Sequence, residues 1–346
     1  MEFIRKNIYS FGKTRVPLIY MLLILAIGCS LFMYFNSSPV KVQPQEVTLN
    51  ESECSARMNQ LRLGGYRFVN PLVLSDLEDD SRQLLALKSH VESYIQQAVS
   101  SQKAVNVSVY FRELSNGSKF IINGNDVYNP ASLVKVIYLI AYLKEAINDP
   151  LALDRVLFFS NHSTTTLQQN IGTFKLKENT YYSVRNLLQY MIQYSDNDAT
   201  IVLGTYVNKQ IYSQIFTDLK LPPVPEGLKE YYVSVADFAK LFRVLHNATY
   251  LGSKYSEYAL ELLTKSEYQD GLRGGLENSV VIAHKFGERV QGNSAQLHEF
   301  GIVYIGERPY LLGVMSRGNN LSELSAILRE ISRIVYADYK GSGQAG

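Results

Sequence analysis

The chain has 346 residues, enough for one large or two modest domains. Hydrophobic residues make up 46% and charged residues 19%, values of an ordinary globular protein and not of a disordered one. A formal net charge of +2 argues against a nucleic-acid partner.

Most of the positive balance is local. Arg5, Lys6, Lys13 and Arg15 face only Glu2 within residues 1–35, and the remainder is close to neutral. Val16 to Phe35 carries no charge, and as a helix it would extend about 30 Å, the thickness of a bilayer core. The four basic residues precede this run, so residues 1–15 are expected as a cytoplasmic tail and residues 16–35 as a single-pass membrane anchor. The rest of the chain is then expected on the extracytoplasmic side of the cell membrane. A cleaved signal peptide and a lipoprotein with Cys29 as the attachment site are the rival readings.

Residues 36–65 are rich in Ser, Pro, Gln, Glu and Asn and read as a linker, with a folded domain over 66–340 and a flexible tail over 341–346. Leu84, Leu87, Val91, Ile95 and Ala98 recur at helical spacing. Val105, Val107, Val109 and Phe111 alternate with more polar residues, as in a half-buried strand, and Asn116-Gly117 turns the chain back into Lys119 to Ile122.

Asn129-Pro130 then suits the opening of a helix that is apolar on nearly all sides from Leu133 to Leu143. Ser132 falls in its first turn, where free backbone N–H groups favour developing negative charge. Lys135 lies one turn on, and burial would lower its pKa toward that of a general base for the serine hydroxyl. The pattern Ser-x-x-Lys is cheap, since Ser10 with Lys13 and Ser38 with Lys41 repeat it, so its company decides its meaning. A cap with a solvent-seeking lysine is the bland alternative.

Residues 150–180 are polar and resist placement. Ser183 caps a helix with Val184, Leu187, Leu188, Met191 and Ile192 inward, which ends at Ser195-Asp196-Asn197. A Pro-rich loop over 221–227 precedes another helix through Val235, Phe238, Leu241, Phe242 and Leu245. From Ser279 the style changes to three short apolar runs, an antiparallel meander whose first strand holds Lys285-Phe286-Gly287. Asn320 and Glu323 open a final amphipathic helix. This order implies an α+β fold: a five-stranded antiparallel sheet built from both ends of the domain, flanked by helices, with an all-α lobe inserted. Cys29 and Cys54 lie outside the domain, and the five histidines share no ligand-like spacing. No disulfide, metal or other cofactor is therefore expected.

Ser132-x-x-Lys135, Ser195-Asp196-Asn197 and Lys285-x-Gly287 occur in the order S-x-x-K, S-D-N, K-T-G. The chain thus resembles the penicillin-recognising serine hydrolases, the superfamily of class A β-lactamases and D-Ala-D-Ala peptidases, over about residues 75–340. The resemblance implies an acyl-enzyme at Ser132 with Lys135 as base. It also implies an oxyanion hole from the backbone N–H groups of Ser132 and Glu288, Ser195 as proton relay and Asn197 on the acyl side chain. Lys285 would supply positive charge near Ser195, Gly287 would belong to the binding strand, and Asp196 would brace its turn. Substrates are then small-molecule or peptide acyl compounds, either β-lactams or D-Ala-D-Ala-type wall peptides.

Two positions depart from the pattern. Phe286 stands where the motif has Thr, which removes a hydroxyl and makes the cleft more apolar if the ring faces it; Arg289 or Arg317 are candidates to compensate. The Pro-rich loop lacks a recognisable deacylation glutamate, leaving Glu226 and Glu230 as loop acids, so slow release of acylated β-lactams is expected. The alternatives are a catalytically weak wall-binding or β-lactam-sensing module, and an esterase or amidase on other acyl compounds.

Overall fold

A computed structural model describes residues 8–11, 14–17, 58–65, 71–77, 80–160, 175–224 and 230–342. The chain divides into two compact units, Met1–Ser55 and Ala56–Gly346. Within the first, β1 (Ile8–Phe11) pairs antiparallel with β2 (Thr14–Pro17). Val16 and Pro17, which open the expected membrane span, therefore belong to a strand; the rest of that span and both cysteines lie outside the described residues. Among the described residues no helix is long and apolar enough to cross a membrane.

The second unit begins with β3 (Met58–Arg62), antiparallel to β4 (Leu72–Leu77). β3 lies within the stretch expected as linker. Its polar sequence hides it, but Leu61 and Leu63 pack against the core and give the hairpin a reason to fold. α1 (Leu85–Ser100) buries Leu87, Val91, Ile95 and Ala98, the helical stripe read from the sequence.

β5 (Asn106–Glu113) and β6 (Lys119–Ile122) form the expected hairpin. The C-terminal meander of β11 (Val281–Gln291), β12 (Ser294–Tyr304) and β13 (Tyr310–Gly318) joins it through β13, with Tyr310 opposite Glu113 and Val314 opposite Val109. The sheet order is β11-β12-β13-β5-β6, so β11 is an edge strand.

β5 is buried on both faces instead of one. Val107, Val109 and Phe111 join a cluster with α1 and the final helix α8 (Leu321–Ser342), while Tyr110 joins a second cluster with the helical lobe. Ser108 is fully buried as well and bonds to the Asn123 carbonyl and Tyr128 Oη. Helices cover both sides of the sheet, so alternation of polarity along this strand understates its burial.

The helical lobe holds α2 (Lys135–Asn148), α3 (Val184–Gln193), α4 (Asn197–Tyr206), α5 (Lys209–Asp218), α6 (Val235–His246) and α7 (Gly252–Thr264). Ser183 Oγ accepts from Asn186 N, and Ser234 Oγ accepts from Asp237 N, so side chains satisfy the first turns of α3 and α6. α6 docks on the sheet through Phe238 and Phe242, whose ring centroids lie 4.8 and 5.9 Å from that of Phe300. Each such buried ring contributes about 1.5–3 kcal/mol. The polar stretch around 150–180 contains a further hairpin of β8 (Val156–Phe159) and β9 (Thr180–Ser183). A short antiparallel pair is formed by β7 (Val127–Tyr128) and β10 (Val233–Ser234), with Val233 opposite Tyr128.

Candidate active site

The all-round apolar run after Pro130 does not begin as an α-helix. Residues Ala131–Val134 form a 3₁₀ turn, and α2 starts only at Lys135. Asn129 Oδ1 accepts from Ala131 N at 2.9 Å, and Ala131 adopts a left-handed φ of 48°. His298, which the count of histidines passed over, holds this entry from the sheet. Its Nε2 donates to the Asn129 carbonyl at 3.0 Å while Nδ1 accepts from Ser316 N at 3.2 Å. Burial lowers the His298 pKa to about 3, which fixes the neutral ring these two bonds require.

Ser132, half-buried, projects from the turn. β11 presses on it: a methyl group at Gly287 would stand 2.6 Å from the Pro130 carbonyl oxygen, 2.8 Å from Leu133 N and 3.1 Å from Ser132 N. Only glycine lets the strand come that close.

Ser195 sits between two amines. Lys285 Nζ donates to Ser195 Oγ at 2.8 Å and to the Phe286 carbonyl at 2.9 Å. Lys135 Nζ donates to Ser195 Oγ at 3.1 Å, to Asn197 Oδ1 at 2.8 Å, and to the Ser195 carbonyl. Ser195 reaches this position with a left-handed φ of 56°, a conformation that costs about 1–3 kcal/mol. Asp196 helps hold it by capping α4, its Oδ1 accepting from Ala199 N at 2.6 Å. The Ser-Asp-Asn element therefore starts a helix as well as ending one. Asp196 braces the turn, as expected.

Burial controls the electrostatics. Lys135 is 2% exposed and its pKa falls to about 7, with Asp196 and Glu288 opposing the shift. Lys285 is fully buried and falls well below the ordinary lysine value, by burial first and by the Lys135 charge second. Asp196 rises to about 6, again mainly by burial. No hydrogen bond joins Ser132 Oγ to either lysine among the described residues, so the amine one helical turn along faces Ser195 and Asn197.

Phe286 is buried and not open to solvent in the cleft, although its ring centroid lies 4.2 Å from Lys285 Nζ. It is 3% exposed and packs into the core cluster shared with α8, its ring centroid 4.3 Å from that of Tyr268. Arg289 and Arg317 are engaged elsewhere: Arg289 pairs with Glu230 and reaches Gln291, and Arg317 donates to the Val127 carbonyl at 3.2 Å. Glu230 is further held by Tyr232, and these two partners lower its pKa, which makes it a poor base. Glu226 lies outside the described residues. Among the described residues no group of three His, Cys, Asp or Glu side chains is placed to hold a metal.

The model of the beta-lactamase enzyme family matches residues 90–339. The chain belongs to that family. It is a serine hydrolase of the β-lactamase-like kind. Its fold is similar to that of a beta-lactamase from Chitinophaga pinensis DSM 2588, at 20% identity and a TM-score of 0.64 over 72% of this chain and 99% of that one. A class A beta-lactamase from Bacteroides cellulosilyticus DSM 14838 aligns at 20% identity and a TM-score of 0.62, over 74% and 99%. PBP-A aligns at 24% identity and a TM-score of 0.61, over 73% and 97%, and a mutant of it has been solved as an acyl-enzyme complex with penicillin G. No curated protein matches the chain.

Proposed function

We propose that this β-lactamase-like hydrolase forms an acyl-enzyme at Ser132 with β-lactams or D-Ala-D-Ala-type wall peptides. The observation that carries the reading is the convergence of Lys135 and Lys285 on Ser195 Oγ, beside a strand whose Gly287 abuts Ser132 N. Ser132 Oγ attacks the carbonyl carbon and its proton passes to the Lys135 amine, which turns from Ser195 to receive it. The carbonyl oxygen takes the negative charge and accepts from the N–H groups of Ser132 and Glu288. As the C–N bond breaks, Ser195 passes a proton to the leaving nitrogen and is resupplied by Lys135, with Lys285 keeping its hydroxyl oriented. Asn197 bonds the acyl side chain.

Deacylation is slow in this reading, because Glu230 is committed to Arg289 and Tyr232. A chromogenic cephalosporin should give a stoichiometric burst followed by slow turnover, both lost in Ser132→Ala. Rapid sustained turnover contradicts slow release, and a burst retained in Ser132→Ala contradicts the nucleophile. Export and membrane attachment belong to the same reading, supported by the uncharged run from Val16 and the basic residues ahead of it. Fractionation of the full chain and of a chain lacking residues 1–35 tests that part: both in the soluble fraction would refute attachment.

A further inference from the structure

We propose that a cavity at the opposite edge of the sheet from β11 binds a hydroxylated phosphate monoester of sugar size. This goes beyond the acyl-enzyme reading and does not depend on it.

The cavity, of about 580 Å³, lies between the β3–β4 hairpin, β6 and the helices α5 and α6. Volumes of this order hold small-molecule ligands. β6 and β11 are the two edges of the sheet, four strand spacings or about 19 Å apart, so the cavity is separate from the groups around Ser132.

Its lining side chains carry four cations, Lys119, Lys220, Lys240 and Arg243, and one carboxylate, Asp76. Two guanidiniums already share that carboxylate. Arg243 Nη1 donates to Asp76 Oδ2 at 2.8 Å, and Arg112 Nη1 donates to Oδ1. Arg243 Nη2 donates to the Ser75 carbonyl at 2.7 Å. The wall is thus held in place yet short of acceptors: Arg243 is 4% exposed, and its Nε has no partner among the described residues. Lys119, 5% exposed, adds a second buried cation. Holding this much positive charge out of water against one carboxylate is costly, and a bound anion offsets the cost.

Lys220 supplies an independent observation. It follows the end of α5 with a left-handed φ of 47°, a position where glycine or asparagine is usual. A lysine there carries a conformational cost, and its exposed amine stands at the rim of the cavity. Lys240 Nζ donates to the Lys220 carbonyl at 3.0 Å, which brings a second ammonium to the same rim. Ammonium groups clustered this way suit the several oxygens of a phosphate dianion. The amide side chains of Asn59 and Gln60 at the mouth suit hydroxyl groups, and Leu61 and Leu74 back the body of the ligand.

Isothermal titration calorimetry of the full chain in phosphate-free buffer tests this with glucose 6-phosphate, inorganic phosphate, glucuronate and glucose. Glucose 6-phosphate should bind one-to-one, inorganic phosphate and glucuronate about tenfold more weakly, and glucose without measurable heat. Lys220→Gln combined with Lys240→Gln should weaken glucose 6-phosphate about tenfold, whereas Lys220→Arg, which keeps the charge, should stay within about twofold of the wild type. Ser132→Ala should bind as the wild type does. No binding of glucose 6-phosphate, equal binding of glucose, or full affinity in the double variant overturns the site. Should the melting profile show the double variant misfolded, unchanged affinity in the exposed Lys220→Glu overturns it instead. Equal affinity for inorganic phosphate or glucuronate overturns the monoester assignment, and loss of binding in Ser132→Ala overturns the separation from the hydrolase site.

Discussion

Lys285 Nζ donates to Ser195 Oγ across 2.8 Å, tying the edge of the sheet to the helical lobe at the centre of the site. Lys135 uses the same oxygen from the other side at 3.1 Å. Two buried amines therefore share one small acceptor. Ser195→Ala should slow acylation about a hundredfold through loss of the proton relay. It should also cost roughly 1–3 kcal/mol of stability by leaving buried donors short of a partner. Single-turnover acylation and urea unfolding measure the two effects independently.

The acylation rate should rise with pH around a midpoint of about 7, because only neutral Lys135 accepts the Ser132 proton and the neutral form exists above its pKa. Stability carries the same sign. Folding lowers the pKa of Lys135 from 10.5 to about 7, so in that window the unfolded chain binds more protons, and folding becomes more favourable as pH rises through it. A pH series of penicillin acylation should show the ascending limb, and Lys135→Arg, charged throughout, should abolish it along with most of the rate. A flat profile would remove Lys135 from the role of base.

Gly287→Ala should disable the site without touching a titratable group. The added methyl group meets the backbone of the Ser132 turn at 2.6–3.1 Å, and backbone cannot yield as a flexible side chain can. Overpacking of this kind costs about 1–3 kcal/mol. Denaturation and acylation should both suffer, with acylation falling out of proportion to stability because the turn that carries the nucleophile moves.

Glu299 and His284 form a fully buried pair on the far face of β11 and β12, with Nδ1 2.6 Å from Oε1. Glu299 Oε2 also accepts from Leu272 N at 2.7 Å. Glu299→Ala strips two buried donors of their acceptor and should cost about 3–5 kcal/mol, with Glu299→Gln milder. Chemical denaturation midpoints read this directly.

Much of the architecture was legible because the apolar spacing is clean. The five sheet strands, the helix after Ser183 and the stripe from Leu87 to Ala98 all fall where periodicity puts them. The order of Ser132, Lys135, Ser195, Asn197, Lys285 and Gly287 along the chain was enough to suspect one site, and folding brings their elements together. What period alone could not supply was direction and neighbourhood. Phe286 could have faced the cleft or the core; only the packing of Tyr268 decides it. The 3₁₀ turn at Ala131–Val134 is invisible in an apolar run that also suits an α-helix, since its cause is the anchoring of Asn129 by Ala131 N and a distant His298. β3 was hidden by its polar composition, and the part of β8–β9 in the edge positions by its exposure.

Mass spectrometry after incubation with penicillin G most directly tests whether these groups build a nucleophilic site around Ser132. The intact chain should gain one penicillin mass within minutes and hold it for hours, fragmentation should place the adduct on Ser132, and Ser132→Ala should gain nothing. An adduct on another residue, an adduct that persists in Ser132→Ala, or a well-folded chain that takes up none would contradict the account.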